Sequence, residues 1–434
     1  MVDALSHHAY LFPMTDASVQ DTLLPPLLRD LFPARQVHGA VGRVMLRVQH
    51  VLDTEIAAGA AGRDRAGGYP HQAMAALKAT GILALAVPCA WGGLGMAQDL
   101  SLELMLRIAV ADPAVAQIYK VHDDLVREIF ACAPPDLRQR LAHRIVQDHA
   151  ILGMAVAENG RTADGFLQTL ARPCPNGTHA LSGRKIYATG ASGADLVAVS
   201  SFDPVRAQQA GSIRAGVRMD LVPHDAPGLV FHHDWDRMGQ RATDSGTVTL
   251  EDVKVKDQWN ALDPDAVLPL HVALRFQAGF SAILTGIGIG ALRAVCAFVP
   301  ERARPWGAAG VDSADQDPYV RRLLGEIGAD LFAAYCSVMH AGTMLDRYEG
   351  GQASRNAAAM AASAARSVAT RAALRAAADA PAAAGARGTD AVNGLDRYWR
   401  DARTLSLHDP VDWKNAEIGR HLLTGWEPEP GLYQ

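Results

Sequence analysis

The chain has 434 residues, 49% hydrophobic and 20% charged, with a net charge of -5. That is room for two or three cooperating domains with ordinary cores, and the weak acidic balance argues against a nucleic-acid partner. The five cysteines (Cys89, Cys132, Cys174, Cys296, Cys336) are scattered, without CxxC spacing or neighbouring histidines, which excludes a zinc site and a disulfide framework and points to a reducing compartment.

In chain order, MVDALSHHAYLFPMTDASVQ places acidic residues and a proline where a signal peptide needs a basic region and then an apolar run, so a cytoplasmic protein is expected. From Thr22 to about Ile151 apolar residues recur at three- and four-residue spacing, in LPPLLRDLF, VGRVMLRVQHVLD and LSLELMLRIAVA, predicting a helical domain over 1–151. The turn Pro88-Cys89-Ala90-Trp91-Gly92-Gly93-Leu94-Gly95 interrupts it. The period then changes to two in LVAVSSF, GVRMDLVP and GTVTLEDVKV, punctuated by Gly183, Pro223, Pro227 and Gly228, which predicts a small β domain over 152–265. Helix returns over 266–434. Ala278 to Leu292 is apolar and glycine-containing but shorter than the ~20 residues of a bilayer span, so it reads as a buried bundle helix and no membrane is expected. Asp317-Pro318 reads as a cap and first-turn proline; Leu324, Ile327, Leu331, Tyr335 and Val338 share one face of the helix that follows, and Gly350-Gly351 ends it. The alanine-rich stretch Ala353 to Ala384 predicts a close-packed helix.

Local motifs join this order. The PCAWGGLG turn, Gly183-Arg-Lys-Ile-Tyr-Ala-Thr-Gly190 and Arg400-Asp401-Ala402-Arg403 resemble elements of the acyl-CoA dehydrogenase superfamily. Asp234-Trp-Asp-Arg-Met-Gly-Gln-Arg-Ala-Thr-Asp-Ser-Gly-Thr247, Arg302-Ala-Arg-Pro-Trp306 and Leu395 through Pro410 are similar to the subgroup of sulfur-acquisition oxidoreductases and dibenzothiophene monooxygenases. The resemblance implies an α+β architecture: N-terminal helical domain, central small β-barrel domain, C-terminal four-helix bundle. It also implies a homotetramer and a two-component monooxygenase that takes reduced FMN from a separate flavin reductase. With oxygen, such enzymes form a C4a-hydroperoxide and oxidise a small organosulfur or amine substrate, in a site that excludes water. No metal is implied.

The same resemblance assigns the site. Thr189 falls where the family places a hydroxyl beside flavin N5. Tyr187, two residues earlier, is expected on the same face of a strand and over the flavin ring, with Trp235 as a further shield. Against these stand plain alternatives: strand propensity for Tyr-x-Thr and a domain-interface plug for Trp235. His408 in LSLHDP is the candidate acid or base, since an imidazole near pKa 6.5 offers both protonation states; its alternative is a helix-end histidine bonded to a carbonyl. His122 matches a pocket-helix histidine, but Val121 and Asp123 depart from its usual neighbours, and a solvated His122 is the competing reading. Asp123 and Asp124 read either as a polar helix face or as a preference for a cationic or strongly polar substrate. Arg302 and Arg304 offer guanidinium forks to the flavin phosphate, often that of a neighbouring subunit in the family, against a reading as solvated surface charge.

Three departures bear on cofactor and reaction. Met154 and Ala157 stand where relatives present hydrogen-bonding side chains to the flavin, a loss of ~1 kcal/mol each. Ala384-Gly-Ala-Arg-Gly388 replaces the glycine-rich turn that holds FAD in the dehydrogenases, which favours FMN with FAD as the alternative. Asp409 lies near the dehydrogenases' catalytic glutamate but is one methylene shorter and precedes Pro410. An acyl-CoA dehydrogenase and a non-catalytic member of the superfamily are therefore the two competing functions.

Overall fold

The computed structural model describes residues 26–160, 167–175, 177–262 and 271–431. The N-terminal stretch and the expected boundary at 265–266 lie outside the described residues.

The first region is helical: α1 (Pro26–Leu31), α2 (Gly39–Val51), α3 (Ala57–Ala66), α4 (His71–Ala79), α5 (Gln98–Ala111), α6 (Pro113–Cys132) and α7 (Pro135–Val146). Asp112 ends α5 and starts α6 in one residue, because its carboxylate accepts from the N–H groups of Ala114 and Val115 while Pro113 takes the first helical position. Nearly every residue of α5 is buried, so this helix is a core element with neighbours on all sides.

The β region forms one curled seven-stranded sheet from β1 (Leu152–Ala155), β2 (Leu170–Cys174), β3 (Thr178–Lys185), β4 (Leu196–Phe202), then two short helices, α8 (Pro204–Ala210) and α9 (Ile213–Gly216), then β5 (Val217–Pro223), β6 (Leu229–Phe231) and β7 (Val248–Lys256). The order is β1-β4-β2-β3-β7-β6, with β5 also on β4. β1 runs parallel to β4, and β3 antiparallel to β7. Lys185 closes β3: its Nζ donates to Glu158 Oε1 at 2.5 Å and to Ser200 Oγ at 3.0 Å inside the sheet.

Five helices follow: α10 (Val272–Arg302), α11 (Pro318–Glu349), α12 (Arg355–Ala384), α13 (Asp396–Ser406) and α14 (Val411–Thr424). Helices α10, α11 and α12 pack on one another, and α10 and α11 also pack on α5, which thus joins the C-terminal bundle to the first region. Gly286 makes the closest of these approaches possible, since a Cβ there would lie 2.4 Å from the Leu106 carbonyl oxygen of α5. α10 is long and apolar enough to cross a membrane by composition, yet its apolar stretch is mostly buried inside the bundle. Asp317 caps α11 through the Tyr319 N–H at 2.8 Å, and Gly350 follows its last turn. On α12 a stripe of alanines faces α10 and α11, including Ala362, Ala369, Ala373, Ala376 and Ala380.

Candidate active site

The predicted strand carrying Tyr187 and Thr189 is a turn. β3 stops at Lys185, and Tyr187 adopts a left-handed backbone with φ 53°, so the expected alternation along a strand is corrected: a left-handed residue redirects the chain. This conformation is uncommon for a bulky residue and marks a constrained site. It holds the tyrosine ring 55% exposed, edge-on to Trp235 at 5.9 Å between centroids. Trp235 is half-buried and donates from Nε1 to the Gln240 carbonyl at 2.9 Å. Thr189 is half-buried, and its hydroxyl pairs with Ser245 Oγ at 2.8 Å; Ser245 Oγ also pairs with Thr243 Oγ1 at 2.7 Å. Tyr187, Thr189 and Trp235 therefore converge, together with Ser245, which the sequence reading contained only inside a longer motif.

The loop bearing Trp235 and Ser245 is docked on α13. The Gln240 N–H donates to Asp401 Oδ1 at 2.5 Å, and Arg400 donates to the Met238 carbonyl at 2.9 Å and to both carboxylate oxygens of Asp64 on α3, at 3.0 and 2.6 Å. Gly239 allows this contact, because a Cβ there would meet the Arg400 carbonyl oxygen at 2.1 Å. Burial, outweighing the Gln240 bond, pushes the Asp401 carboxyl up to about 7. His408 follows α13 about seven residues beyond Asp401, roughly 10 Å at helical rise, so both site segments hang from one helix.

His408, an exposed residue, rests its ring on Phe280 of α10 at 4.2 Å between centroids. Enclosure by the surrounding helices and then the positive charges of Lys120 and Arg366 push its pKa down to about 4. Burial and both cations act in the same direction, so His408 is neutral at pH 7. Lys120 lies over the Phe280 ring at 4.0 Å and the Arg366 guanidinium at 5.4 Å. Asp409 is buried and accepts from Gln277 Nε2 at 2.7 Å.

Asp123 and Asp124 are buried, which corrects the polar-face reading. Arg275 of α10 bonds both, Arg127 donates to Asp123 at 3.2 Å, and Lys120 donates to Asp124 at 2.6 Å. Their charge is matched by these internal cations. A cavity of ≈ 530 Å³ lies beside this cluster, lined among others by Asp124, Arg127, Glu128, Arg275 and Phe276. His122 is 1% exposed, so it is not solvated; its Nε2 bonds the Leu83 carbonyl at 3.1 Å and its Nδ1 accepts from the Leu152 N–H at 3.1 Å. That fixes the tautomer and ties α6 to β1. Arg302 and Arg304 are exposed. Arg302 meets Asn393 Oδ1 at 3.4 Å and its carbonyl accepts from Arg387. Arg302 lies about 22 residues beyond Phe280 on α10, roughly 33 Å along the helix.

Family models for acyl-CoA dehydrogenase match consecutively: the N-terminal domain over residues 44–149, the middle domain over 153–253 and the C-terminal domain over 278–413. The dibenzothiophene monooxygenase of Mycolicibacterium goodii is 32% identical over 383 residues, 85% of this chain and 91% of that protein. This chain belongs to the acyl-CoA dehydrogenase superfamily, in its dibenzothiophene monooxygenase branch. The probable FMNH2-dependent monooxygenase SfnC of Pseudomonas putida is 29% identical over 90% of this chain and 98% of its own. The FMN-bound TdsC structure from Paenibacillus sp. A11-2 superposes with a TM-score of 0.83 at 28% identity, covering 90% of this chain and 100% of that one.

For a member of this superfamily, the residues present fit a flavin on one test: an aromatic held exposed by a left-handed backbone sits beside a second aromatic and a hydroxyl pair. At the positions of the missing side chains two backbone groups are already engaged: the Met154 N–H is bonded to the Thr189 carbonyl at 3.3 Å and the Ala157 carbonyl to the Ile186 N–H at 2.9 Å. The superfamily's Arg-Asp-Ala element acquires a physical role in Arg400 and Asp401, which dock the Trp235 loop. Lys120 and Arg366 were not singled out in the sequence. The one signal for Arg366 is its phase, three residues before Ala369 and four after Ala362 on the buried stripe.

Proposed function

We propose that this chain is an FMNH2-dependent, two-component monooxygenase acting on a small organosulfur compound, with an amine as the other substrate class. The observation that carries this reading is the Tyr187–Trp235 aromatic pair beside the linked hydroxyls of Thr189 and Ser245, in a chain related to FMN monooxygenases. Reduced FMN, when bound, supplies the two electrons with which O2 yields one oxygen atom to substrate and one to water.

The chain's own residues do the rest. Tyr187 and Trp235 cover the ring and exclude water. Thr189, its hydroxyl oriented by Ser245, donates a hydrogen bond at the flavin edge. Neutral His408 holds a proton on one ring nitrogen and an acceptor on the other, the form suited to passing a proton near pH 7. His122 acts by positioning α6 against β1. Arg302 and Arg304 are read as reaching the phosphate of a flavin in a neighbouring copy, a reading supported by their place roughly 33 Å along α10 from Phe280, in a homotetramer of chains organised as 1–151, 152–265 and 266–434. The dehydrogenase alternative is disfavoured by Asp409, buried and bonded to Gln277.

The test is fluorescence titration with oxidised FMN, reduced FMN and FAD, followed by oxygen consumption with reduced FMN across sulfides, sulfones, sulfinates and amines. Selective binding of reduced FMN and substrate-dependent oxygen uptake are expected. Retained FAD that an acyl-CoA bleaches would overturn the reading, and binding of no flavin would leave a non-catalytic member.

A further inference from the structure

Behind His408 the protein keeps a cluster of charged side chains largely out of water. Lys120, Arg127, Arg275 and Arg366 are the cations; Asp123, Asp124 and Asp409 are the carboxylates bonded within the same cluster or facing it. Glu128, pushed up to about 7 by burial and by Asp124, and Glu349, which faces Arg127, add carboxylates on the cavity side.

The least satisfied of these cations is Arg366. It is 0% exposed, one terminal nitrogen donates to the Leu405 carbonyl at 3.3 Å, and Nε and the other terminal nitrogen have no partner among the described residues. Asp409 lies near enough to favour the guanidinium charge, but its bonded partner is Gln277. A buried guanidinium with unmet N–H groups is costly to a fold. Lys120 adds a second buried cation on the same Phe280 ring, and its only bonded carboxylate, Asp124, is shared with Arg275. On the side away from the cavity, His408, an exposed residue, packs its ring on the same Phe280 ring as both cations.

We infer that Lys120 and Arg366 make the open face of His408 a receptor for a small oxyanion, so that the substrate carries a carboxylate-, sulfinate- or sulfonate-type group. The receptor works at short range: His408 donates its ring N–H to the anion, and the two cations supply charge through a low-dielectric wall where screening is weak. This inference rests on the reading of His408 as part of a monooxygenase site and names the class of substrate that site accepts.

A matched pair of probes tests it without flavin. Methanesulfonate and dimethyl sulfone have nearly the same shape and differ in charge. Isothermal titration of the full-length protein at low ionic strength should give methanesulfonate at least about tenfold tighter binding than the sulfone, the factor of one charge-assisted hydrogen bond. Arg366→Met and Lys120→Met should each remove most of that preference, and either can serve if the other fails to fold. In wild type, the His408 ring resonance followed by NMR should titrate at higher pH when methanesulfonate is bound, because an anion favours the imidazolium. Equal binding of the two probes, or a preference unchanged in both variants, would overturn the inference. Reduced-FMN-dependent oxygen uptake with neutral sulfones would then leave the monooxygenase reading standing, whereas loss of all flavin binding would defeat that reading and spare the anion site.

Discussion

Replacing His122 by alanine gives the sharpest check on the assignment of that residue to positioning. The substitution leaves a buried carbonyl at Leu83 and a buried N–H at Leu152 without partners; at about 1–3 kcal/mol for each orphaned group, the loss should reach roughly 2–6 kcal/mol. A second signature is independent of that sum. Burial, against the weaker pull of the Leu83 bond, lowers the His122 pKa from 6.5 to about 4 in the folded chain. Between these values the unfolded chain binds the proton and the folded one does not, so wild-type stability falls as pH drops through this window. From pH 7 to pH 5 the His122 share is about 2 kcal/mol at 1.36 kcal/mol per unit. His408 also titrates low but is present in both proteins, so the wild-type minus variant difference isolates His122. Urea denaturation followed by tryptophan fluorescence at both pH values reads out both signatures. A variant with wild-type stability at pH 7, or with the full wild-type loss between pH 7 and 5, would refute the two-bond account.

Thr189→Val should weaken FMN binding about fivefold, the worth of one hydrogen bond near 1 kcal/mol, while Thr189→Ser restores it; flavin fluorescence titration measures both. Gly239→Ala places a Cβ 2.1 Å from the Arg400 carbonyl oxygen, so the Trp235 loop should lift from α13, with a red-shifted tryptophan emission and a stability loss of about 1–3 kcal/mol in chemical denaturation. Arg302→Ala should reduce the preference for FMN over riboflavin about tenfold, as loss of a charged hydrogen bond to phosphate would, and leave riboflavin affinity unchanged in parallel titrations.

The helix–strand–helix order was legible because periodicity is a local property: the spacing in LSLELMLRIAVA and the alternation in GTVTLEDVKV belong to single elements. The caps were legible for the same reason, as Asp317-Pro318 shows. What failed was non-local. Tyr187 and Thr189 were placed near one another, but the left-handed backbone at Tyr187 depends on the strand being fixed by Lys185 in the sheet, which no propensity records. Asp123 and Asp124 looked like a solvated face because Arg275, which neutralises both, is more than 150 residues away in the chain. Ser245 acquires its importance only by meeting Thr189. The motif around Arg400 was recognised as a pattern, while its physical meaning, a clamp on the 238–240 backbone, needed the contact itself.

The alanine face of α12 has a consequence for how this site can adapt. Alanine has no side-chain rotamers to immobilise, so the bundle wall is assembled at little entropic cost from backbones in close contact. Such a wall is stiff and has no slack: adding methylenes at Ala369, Ala373 or Ala376 would wedge α12 away from α10 and carry Phe280 with it. The opposite wall is built from turns, with Tyr187 and much of the loop from His232 to Met238 exposed. Changes in ligand preference are thereby channelled to one side of the site, a fixed anvil against which the loop side can be reshaped residue by residue without reopening the core.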